Sequence, residues 1–323
     1  MNACREHFGH CPPPPELARR ACQRQISSPP VSFVPSLGNV AELYTNWLNK
    51  DRTQIPKILH QTWRDCNVPV YQAGWRAHCD TTLRLDWAFW LWDDVANREL
   101  IRSSFGSHLP LYDSYEVGIK RADVIRLFIL YKHGGVYMDL DFLCLRPFES
   151  LPYLPDGMAV FGWQDHNNHI AANAFMAAPP GHPFIAFLIS QLIHGDRRQV
   201  FTSTGPYFLT QALGVWQKRH GWLSNSSGVV VHPFPHIYNH DPKNQVRPCG
   251  RQVPDMRING SRDYVERCAA RFNTSFVTTF WTKTWLREVA TSIVHGNTSM
   301  QHGSKFGRVV KASKYCDRRF DLC

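Results

Sequence analysis

The chain has 323 residues, of which 43% are hydrophobic and 13% aromatic, and this is enough apolar material for one large folded core. Its formal net charge is +10, but it contains no dense basic run with interleaved aromatic residues and no zinc-finger spacing, so we expect no nucleic-acid partner. Attraction of an anionic ligand or of an anionic membrane surface accounts for the charge equally well.

The first part of the chain is rich in proline, and we interpret residues 1–53 as a stem or leader with a short helix at Leu37–Leu48. The fold then starts with IPKILHQTW, in which Ile58 and Leu59 indicate the first core strand. Trp63 comes just past that strand. Because ligands of α/β proteins bind beyond the carboxyl ends of strands, Trp63 is a candidate ligand contact, with a core tryptophan as the alternative.

The next predicted elements are a short helix at Trp75–Cys79, a buried strand at Trp87–Trp92 and a helix at Asn97–Phe105. Asp93 and Asp94 close the strand, where an aspartate could also cap the helix that follows.

The stretch RADVIRLFILYKHGGVYMDLD, residues 121–141, is the centre of the predicted fold. Its first part is almost entirely apolar, which predicts a helix that is buried under other layers. Asp123 and Arg126 are three residues apart and share one face of this helix. Gly134 and Gly135 end it, since glycine accepts the left-handed conformation that a helix C-terminus needs.

Val136–Phe142 is predicted to be one buried strand. Residues two apart in a strand point the same way, so Asp139 and Asp141 would face one side with Tyr137 beside them. Two buried carboxylates repel each other unless a cation lies between them. A divalent ion such as Mn²⁺ or Mg²⁺ bound with a diphosphate meets that need, so the pair predicts a metal–diphosphate site.

The rest of the chain continues to alternate between strands and helices, which indicates an α/β fold. The predicted elements are strands at Met158–Trp163, Ile170–Met176 and Val229–Val231, an amphipathic helix at Phe184–Ile193, a turn at Thr204–Pro206, a helix at Tyr207–Trp216 and a last segment at Val277–Trp285. We interpret residues 240–270 as an insertion or surface loop.

Ten cysteines without any C-x-x-C pair argue against a zinc or thioredoxin-like site and fit disulfides formed in an oxidising compartment. Cys144 follows an apolar strand and is predicted to be a buried free thiol. Three local pairs are candidates for disulfides: Cys66–Cys79, Cys249–Cys268 and Cys316–Cys323.

Asn-x-Ser/Thr sequons in the last hundred residues favour a luminal location. They begin at Asn225, Asn259, Asn273 and Asn297. No signal peptide is visible, and no apolar run reaches the roughly 18 residues that a membrane span needs.

As a unit, RAD-x-x-R…GGVYxDxD-x-x-CLRP resembles the sugar-binding Asp-x-Asp region of family 32 glycosyltransferases. These include initiating α-1,6-mannosyltransferases and inositol-phosphoceramide mannosyltransferases. The opening IPKILHQTW, the stretch NAFMAAPPGHPF and the TGP turn are similar to segments of the same family. The resemblance covers roughly residues 55–290, so we expect a catalytic domain at 54–290 and a C-terminal tail at 291–323.

The resemblance implies a GT-A fold, in which one nucleotide-sugar-binding domain contains a mixed, mainly parallel sheet flanked by helices. The implied reaction transfers a hexose from a nucleotide-sugar to a hydroxyl of a glycan or glycolipid, with retention of configuration and with Mn²⁺ or Mg²⁺ as cofactor. We expect mannose from GDP-mannose, with UDP-galactose and UDP-glucose as alternatives. The family also implies a membrane-associated enzyme of the Golgi lumen, whose anchor we expect outside this sequence.

The resemblance further implies roles for the central residues. Asp141 is expected to be the first metal ligand, and Asp139, beside Tyr137, to touch the donor ribose and the metal. Asp123 and Arg126 are expected to hold the sugar hydroxyls and a phosphate oxygen. A purely structural salt bridge is the alternative for that pair.

Three more candidate contacts lie outside the central stretch. Trp63 is expected to stack on the base of the donor. Asp165 and Asn173 are expected to contact the sugar, Asp165 in a catalytic role. The spacing of the nearby histidines matches no standard metal site, and such histidines are usually structural or solvated. They are His166, His169 and His182.

Near the end of the domain, relatives carry a His-His-x-x-Gly-Ser-Trp-like segment on a loop that closes over the diphosphate. Here the segment reads TTFWTKTW and contains no histidine. Thr284 stands where a serine is expected, Trp285 fits the pattern, and Lys283 could supply charge to the leaving diphosphate. Alternatively, Trp281 and Trp285 are the packed face of a helix.

Two other classes of protein also use paired carboxylates. A metal-dependent phosphodiesterase would normally show more Asp and His ligands around two metals. A noncatalytic sugar-binding protein would use the aromatic residues for the sugar and the aspartates for Ca²⁺.

Overall fold

A computed structural model describes residues 40–49, 54–65, 67–83, 87–148, 154–167, 169–192, 200–239, 249 and 261–282. The strands are β1 Ile58–Thr62, β2 Ala88–Trp92, β3 Gly135–Met138, β4 Phe142–Cys144, β5 Ala159–Trp163, β6 Ala171–Ala178, β7 Val229–His232 and β8 Val277–Thr279. The longer helices are α1 Val40–Asn49, α2 Val70–Leu83, α3 Asp94–Ser104, α5 Gly118–His133, α6 Pro183–Gln191, α8 Pro206–His220 and α10 Ser261–Arg271. Short helical turns are α4 Leu109–Asp113, α7 Val200–Ser203, α9 Ser224–Ser227 and a 3₁₀ turn at Gly106–His108.

The main sheet has the strand order β2-β1-β3-β6-β5-β7, and β6 is the strand that runs against the others. β4 and β8 pair separately as a small antiparallel sheet. This arrangement confirms the predicted mixed, mainly parallel sheet flanked by helices and agrees with the expected GT-A type. The carboxyl ends of β1, β2, β3, β5 and β7 meet at one edge of the sheet, which we call the carboxyl edge.

Apolar cores cover both faces of the sheet. On one face, α3, α5, α6 and α8 pack against Tyr137 and Met176, whereas Val136 and Met138 of β3 point into the core on the other face. Every residue from Asp123 to Tyr131 is buried, which confirms the prediction of a buried central helix, α5.

Helix α6 is buried from Pro183 to Ile189, so the prediction that it is amphipathic was wrong. The reason is that α1 covers the outer side of α6 while α5 packs on its inner side. Among the described residues, no helix combines the length and apolar character needed to cross a bilayer.

The turn between α5 and β3 depends on its two glycines, as predicted. Gly134 and Gly135 have φ of 63° and 94°, and a Cβ on Gly135 would lie 2.6 Å from Ile58 O. His60 Nε2 donates to Gly134 O at 2.9 Å, while His60 Nδ1 accepts from Trp92 Nε1 at 3.1 Å. Burial lowers the pKa of His60 to about 3, so a neutral imidazole fixes this turn against β1 and β2.

The predicted single strand Val136–Phe142 is interrupted, and this is a correction. β3 ends at Met138, residues 139–141 form a turn, and β4 then pairs with β8 instead of continuing in the main sheet. Asp139 N–H still donates to Ala174 O at 2.9 Å, after which Phe142 N–H donates back to Asp139 O at 3.4 Å. Because of this turn, Asp139 and Asp141 lie beyond the end of β3. In a continuous strand, the backbone around them would have paired with a neighbouring strand.

Two cysteine predictions were also wrong. Cys144 is not a free thiol, because it forms a disulfide with Cys79, and Cys79 therefore does not pair with Cys66. The bond joins α2 to the end of β4 across a sequence separation of 65, which no local spacing rule detects. The predicted bond Cys249–Cys268 is confirmed. Cys316 and Cys323 lie outside the described residues.

The region predicted as an insertion or surface loop contains α10, whose Cys268 is held to Cys249. The Arg146 guanidinium donates to Phe272 O at 3.0 Å, to Ala269 O at 2.6 Å and to Ser275 O. It therefore satisfies carbonyls at the C-terminal end of α10 that the helix itself leaves free. This fixes the chain that leads into β8.

Candidate functional site

The carboxyl edge collects most of the predicted site residues. Trp63 directly follows β1, and Asp139 directly follows β3. Asn173 lies near the start of β6, the antiparallel strand, and so at the same edge. Asp123 and Arg126 approach this edge from the first turns of α5.

Beneath the edge, four buried residues form a polar group that we call the Asp123 cluster: Asp123, Arg126, Asn173 and Thr204. Asp123 Oδ1 lies 3.0 Å from Arg126 Nη2 and accepts from Asn173 Nδ2 at 2.9 Å. Asp123 Oδ2 accepts from Thr204 Oγ1 at 3.1 Å. Burial raises the pKa of Asp123 to about 6, and the guanidinium opposes that rise. Both carboxylate oxygens are therefore occupied by protein groups.

Arg126 connects this cluster to the surface. Its Nη1 donates to Asn173 O at 2.5 Å, and its Nη2 lies 3.5 Å from Asp139 Oδ1. The guanidinium carbon also lies 4.6 Å from the centre of the Tyr137 ring. Burial disfavours the charged form, yet Tyr137, Asp139 and Asp123 leave the pKa of Arg126 above its ordinary value. The guanidinium is thus a fixed positive charge beneath Asp139.

Asp139 is partly open to solvent, with 35% of its side chain exposed. The Tyr137 hydroxyl donates to Asp139 Oδ1 at 3.0 Å and lies 2.9 Å from Thr62 Oγ1. Burial raises the pKa of Asp139, and the Arg126 guanidinium opposes this. Tyr137 was predicted to lie beside the aspartates, and its hydroxyl orients one carboxylate oxygen.

Asp141 is held by the chain segment that follows β8. Its Oδ2 accepts from Thr282 N–H at 2.9 Å and from Thr282 Oγ1 at 3.2 Å, while Thr279 Oγ1 lies 3.5 Å from Oδ1. Burial and the neighbouring Asp139 raise the pKa of Asp141 to about 6. Among the described residues, Asp141 forms no ion pair with a cationic side chain.

Asp139 and Asp141, which we call the aspartate pair, fit a hard divalent cation. Each carboxylate keeps unfilled lone pairs, and their mutual repulsion raises the pKa of Asp141 in a place where a cation would relieve it. Two carboxylates are the protein ligands that Mg²⁺ or Mn²⁺ takes when water and phosphate oxygens complete the shell. The described residues contain no group of three or more His, Cys, Asp or Glu side chains that could hold a metal.

Trp63 lies where a base could stack. Its half-buried ring packs against Leu91 and Leu140, and Leu140 belongs to the turn that carries the aspartate pair. Its Nε1 is buried and has no hydrogen-bond partner in the described structure. A buried N–H donor usually finds an acceptor, so Trp63 retains hydrogen-bonding capacity toward a ligand.

Asp165 and His182 serve local structure. The carboxylate of Asp165 accepts from the N–H groups of Asn167 and Ile170 at 2.9 and 3.0 Å, and so stabilises its own loop. His182 caps α6 by accepting from Phe184 N–H at 3.2 Å. The carboxylate of Asp93 caps α3 by accepting from Ala96 N–H at 2.8 Å, which confirms that an aspartate caps this helix.

The segment after β8 is described only as far as residue 282. Lys283, Thr284 and Trp285 lie outside the described residues. Trp281 has φ of 45° and stacks on Tyr238 with ring centres 5.6 Å apart. This residue is not helical, so the helical alternative for Trp281 was wrong.

Sequence reasoning missed two contributors. Thr204 was interpreted only as part of a turn, although a TGP motif leading into a helix is a place where a hydroxyl can reach a buried carboxylate. Thr282 bonds to Asp141 across 141 positions, and no local pattern signals a contact at that separation.

Comparison with known proteins agrees with this geometry. Residues 70–156 match the family model described as a glycosyltransferase sugar-binding region containing a DXD motif. Inositol phosphoceramide mannosyltransferase 3 of Schizosaccharomyces pombe is 34% identical over 196 residues, which cover 58% of this chain and 53% of that protein. A mannosyl phosphorylinositol ceramide synthase of Saccharomyces cerevisiae is 32% identical over 182 residues, which cover 54% of this chain and 45% of that protein.

The chain thus spans about half the length of the curated relatives it matches. Among solved structures, the glycosyltransferase PaToxG aligns over 81% of this chain and 98% of its own, with 15% identity and a TM-score of 0.43. The matched segment contains α5, β3 and the aspartate pair. Residues 70–156 are therefore similar to the glycosyltransferase sugar-binding region that contains a DXD motif.

Proposed function

We propose that the protein is a metal-dependent glycosyltransferase that moves a hexose from a nucleotide-sugar to a hydroxyl group. The observation that carries this proposal is the partly open aspartate pair at the carboxyl edge, set above the fixed positive charge of Arg126. A carboxylate pair of this kind binds a divalent ion together with a diphosphate, and a nucleotide-sugar supplies the diphosphate.

The donor that we propose is GDP-mannose, and the acceptor a hydroxyl of a glycolipid. The support comes from the curated relatives, whose names describe mannosyl transfer to inositol phosphoceramide. UDP-galactose and UDP-glucose are the competing donors.

In the proposed reaction, the acceptor oxygen forms a bond to the anomeric carbon while the bond from that carbon to the diphosphate oxygen breaks. The nucleoside diphosphate leaves with the bonding electrons, and the acceptor proton passes to the departing phosphate oxygen. This same-face transfer retains configuration and needs no strong protein base. A bound Mn²⁺ or Mg²⁺ would supply charge neutralisation at the diphosphate.

The side chains have separate tasks in this proposal. The aspartate pair would hold the cation, with Tyr137 orienting Asp139 and Thr282 orienting Asp141. Trp63 would stack on the base and donate its Nε1–H. Arg126 would position Asp139 and add positive charge beneath the donor phosphates.

We further propose that the protein works in the Golgi lumen and is associated with its membrane. Asn225 and Asn273, which begin two of the sequons, are exposed. The disulfides Cys79–Cys144 and Cys249–Cys268 fit an oxidising compartment. Expression in a secretory host should give species that an N-glycosidase collapses, whereas unmodified sequons and reduced cysteines would contradict this location.

The donor and the reaction class can be tested together. Purified protein would be incubated with GDP-mannose, UDP-galactose, UDP-glucose or a plain phosphodiester, in Mn²⁺ or in excess EDTA, and products would be measured. We expect Mn²⁺-dependent release of GDP from GDP-mannose and no cleavage of the phosphodiester. Cleavage of the phosphodiester alone would identify a phosphodiesterase, and no turnover would favour a noncatalytic sugar-binding protein.

A further inference from the structure

Two loops at the carboxyl edge carry side chains that the proposed donor site does not use. The first lies between β5 and β6, where residues 164–167 and 169–170 are described, and the second follows β7 at residues 233–239. Because β5 and β7 run parallel to β3, both loops leave the sheet at the edge where Asp139 lies. In the strand order they stand on the side of β3 away from β1 and Trp63.

Strand geometry sets the distance of the first loop from the donor site. Asp139 N–H is bonded to Ala174 O, and the loop ends at Ile170, directly before β6, the strand that carries Ala174. With a rise of about 3.3 Å per residue and about 4.8 Å between strands, the loop lies roughly 10–15 Å from Asp139. A second ring joined to a hexose held at Asp139 would extend over this distance.

The two loops meet through an aromatic contact. The rings of His166 and Phe234 have centres 4.0 Å apart and planes tilted by 52°. His166 is exposed, whereas Phe234 is half-buried and packs on the core beneath it. The pair therefore offers two adjoining aromatic faces set at an angle, next to imidazole nitrogens that can donate or accept a hydrogen bond.

Both loops are fixed by hydrogen bonds. Asp165 bonds to the N–H groups of the first loop, as described above. In the second loop, Pro235 O accepts from Ser275 Oγ at 2.7 Å, and Asn239 Nδ2 donates to Val277 O at 3.1 Å. A surface that is ordered before binding loses less conformational entropy when a ligand binds. Small-molecule sites are generally pre-formed in this way.

The chemistry of the loops selects a neutral ligand. Residues 164–170 and 233–239 contain no lysine or arginine, and the carboxylate of Asp165 is used within its loop. An aromatic face with a few neutral hydrogen-bonding groups suits the apolar face and the hydroxyls of a sugar ring.

We propose that His166 and Phe234 form the acceptor subsite, which takes a neutral polyhydroxylated ring, either a pyranoside or a cyclitol. The inference rests on the proposed glycosyl transfer and adds the place and class of its acceptor. It makes Asp165 a positioning residue of this subsite.

The test distinguishes acceptor binding from donor binding. Water can take the place of the acceptor, so donor hydrolysis reports on the donor site alone. Donor hydrolysis and transfer to methyl α-mannopyranoside or myo-inositol would be measured for the wild-type protein, His166→Ala and Phe234→Leu. The matched control is His169→Ala, which removes another exposed histidine of the same loop. We expect hydrolysis within about twofold of wild type in every variant, and an acceptor KM raised about tenfold in His166→Ala and Phe234→Leu but not in the control.

Each other result has a definite meaning. An unchanged acceptor KM in His166→Ala, or an equal increase in His169→Ala, would overturn the subsite. Hydrolysis by the wild-type protein with transfer to neither probe would overturn the assigned class of acceptor. If the wild-type protein neither hydrolyses nor transfers, the proposed function fails, and saturation-transfer NMR with the two probes still tests the subsite. Loss of both probe signals in His166→Ala would support it, and unchanged or absent signals would contradict it.

Discussion

Asp123, Asp139 and Asp141 fall into two neighbouring regions in which the surroundings of a carboxylate are opposite. In the Asp123 cluster, the aspartate side chain is 6% exposed and bonded to Arg126, Asn173 and Thr204. In the aspartate pair, Asp139 remains 35% exposed, and Asp141 forms no ion pair within the described chain. One region is complete without a ligand, and the other is not.

Sequence proximity therefore does not assign a role to a charged residue. All three aspartates lie within residues 121–141, yet Asp123 is placed to hold α5 against β6 and Thr204. Arg126 belongs to both regions, since one nitrogen, Nη2, approaches both Asp123 and Asp139. Arg126 is held by the Asp123 cluster and in turn positions Asp139 of the aspartate pair.

The largest expected effect is on the open pair. Asp141→Asn should reduce Mn²⁺-dependent donor turnover by about 10³-fold or more, because one charged ligand of the cation is lost. Circular dichroism should show an unchanged fold. Turnover at the wild-type rate in this variant, or full wild-type activity in excess EDTA, would remove the distinction between the two regions.

Arg126→Lys probes the closed cluster. Lysine keeps the charge but lacks the planar fork whose two nitrogens reach Asn173 O and Asp123, so the free energy of unfolding should fall by about 3 kcal/mol in urea titrations. The control is Arg98→Lys, since Arg98 makes a two-point contact with Asp113 on the exposed surface. That change should cost less than about 1 kcal/mol. Equal costs would mean that the buried cluster has no special role in stability.

The pKa of Asp141 gives a pH-dependent form of the comparison. The folded value is raised to about 6 from an ordinary 3.8, so the folded protein binds a proton more tightly than the unfolded chain does. Stability from this group is therefore gained as the pH falls through about 6, and it is lost when the carboxyl ionises above that pH.

Without metal at pH 7.5, the free energy of unfolding of Asp141→Asn should therefore exceed that of the wild-type protein by about 1–2 kcal/mol. The difference should vanish near pH 4. Urea titrations in EDTA at both values would measure it, and a variant that is less stable at pH 7.5 would show that Asp141 is a structural carboxylate like Asp123.

The smallest expected effect concerns how the open pair is oriented. Thr282→Val removes the hydroxyl that donates to Asp141 but leaves the Thr282 backbone N–H bond. Affinity for Mn²⁺ with nucleoside diphosphate should fall about fivefold in calorimetric titrations, the loss expected for one hydrogen bond. Unchanged affinity would assign the orientation of Asp141 to the backbone alone.

The parts of the fold that follow from local pattern were predictable. The apolar run of α5, its Gly134-Gly135 stop and the strands around β1 and β5 were recognised because periodicity and glycine conformation act over a few residues. The prediction that Trp63 lies just past β1 has the same basis. These predictions needed no knowledge of what packs against each element.

The errors and omissions came from contacts between distant parts of the chain. The strand break at Asp139 depends on β8 pairing with β4, and the disulfide of Cys144 depends on α2 lying beside β4. α6 was predicted to have a polar face, because the sequence pattern of α6 does not show that α1 covers it. Sequence indicated which carboxylates are present, but their partners decide which of them are open.

We propose that the aspartate pair binds a divalent ion together with a nucleoside diphosphate. Calorimetric titration of GDP and UDP into the wild-type protein, in Mn²⁺ and then in EDTA, tests it most directly. We predict that one nucleotide binds at least about tenfold more tightly in Mn²⁺, and that Asp141→Asn abolishes the difference. Equal affinity in Mn²⁺ and EDTA for both nucleotides would contradict the claim.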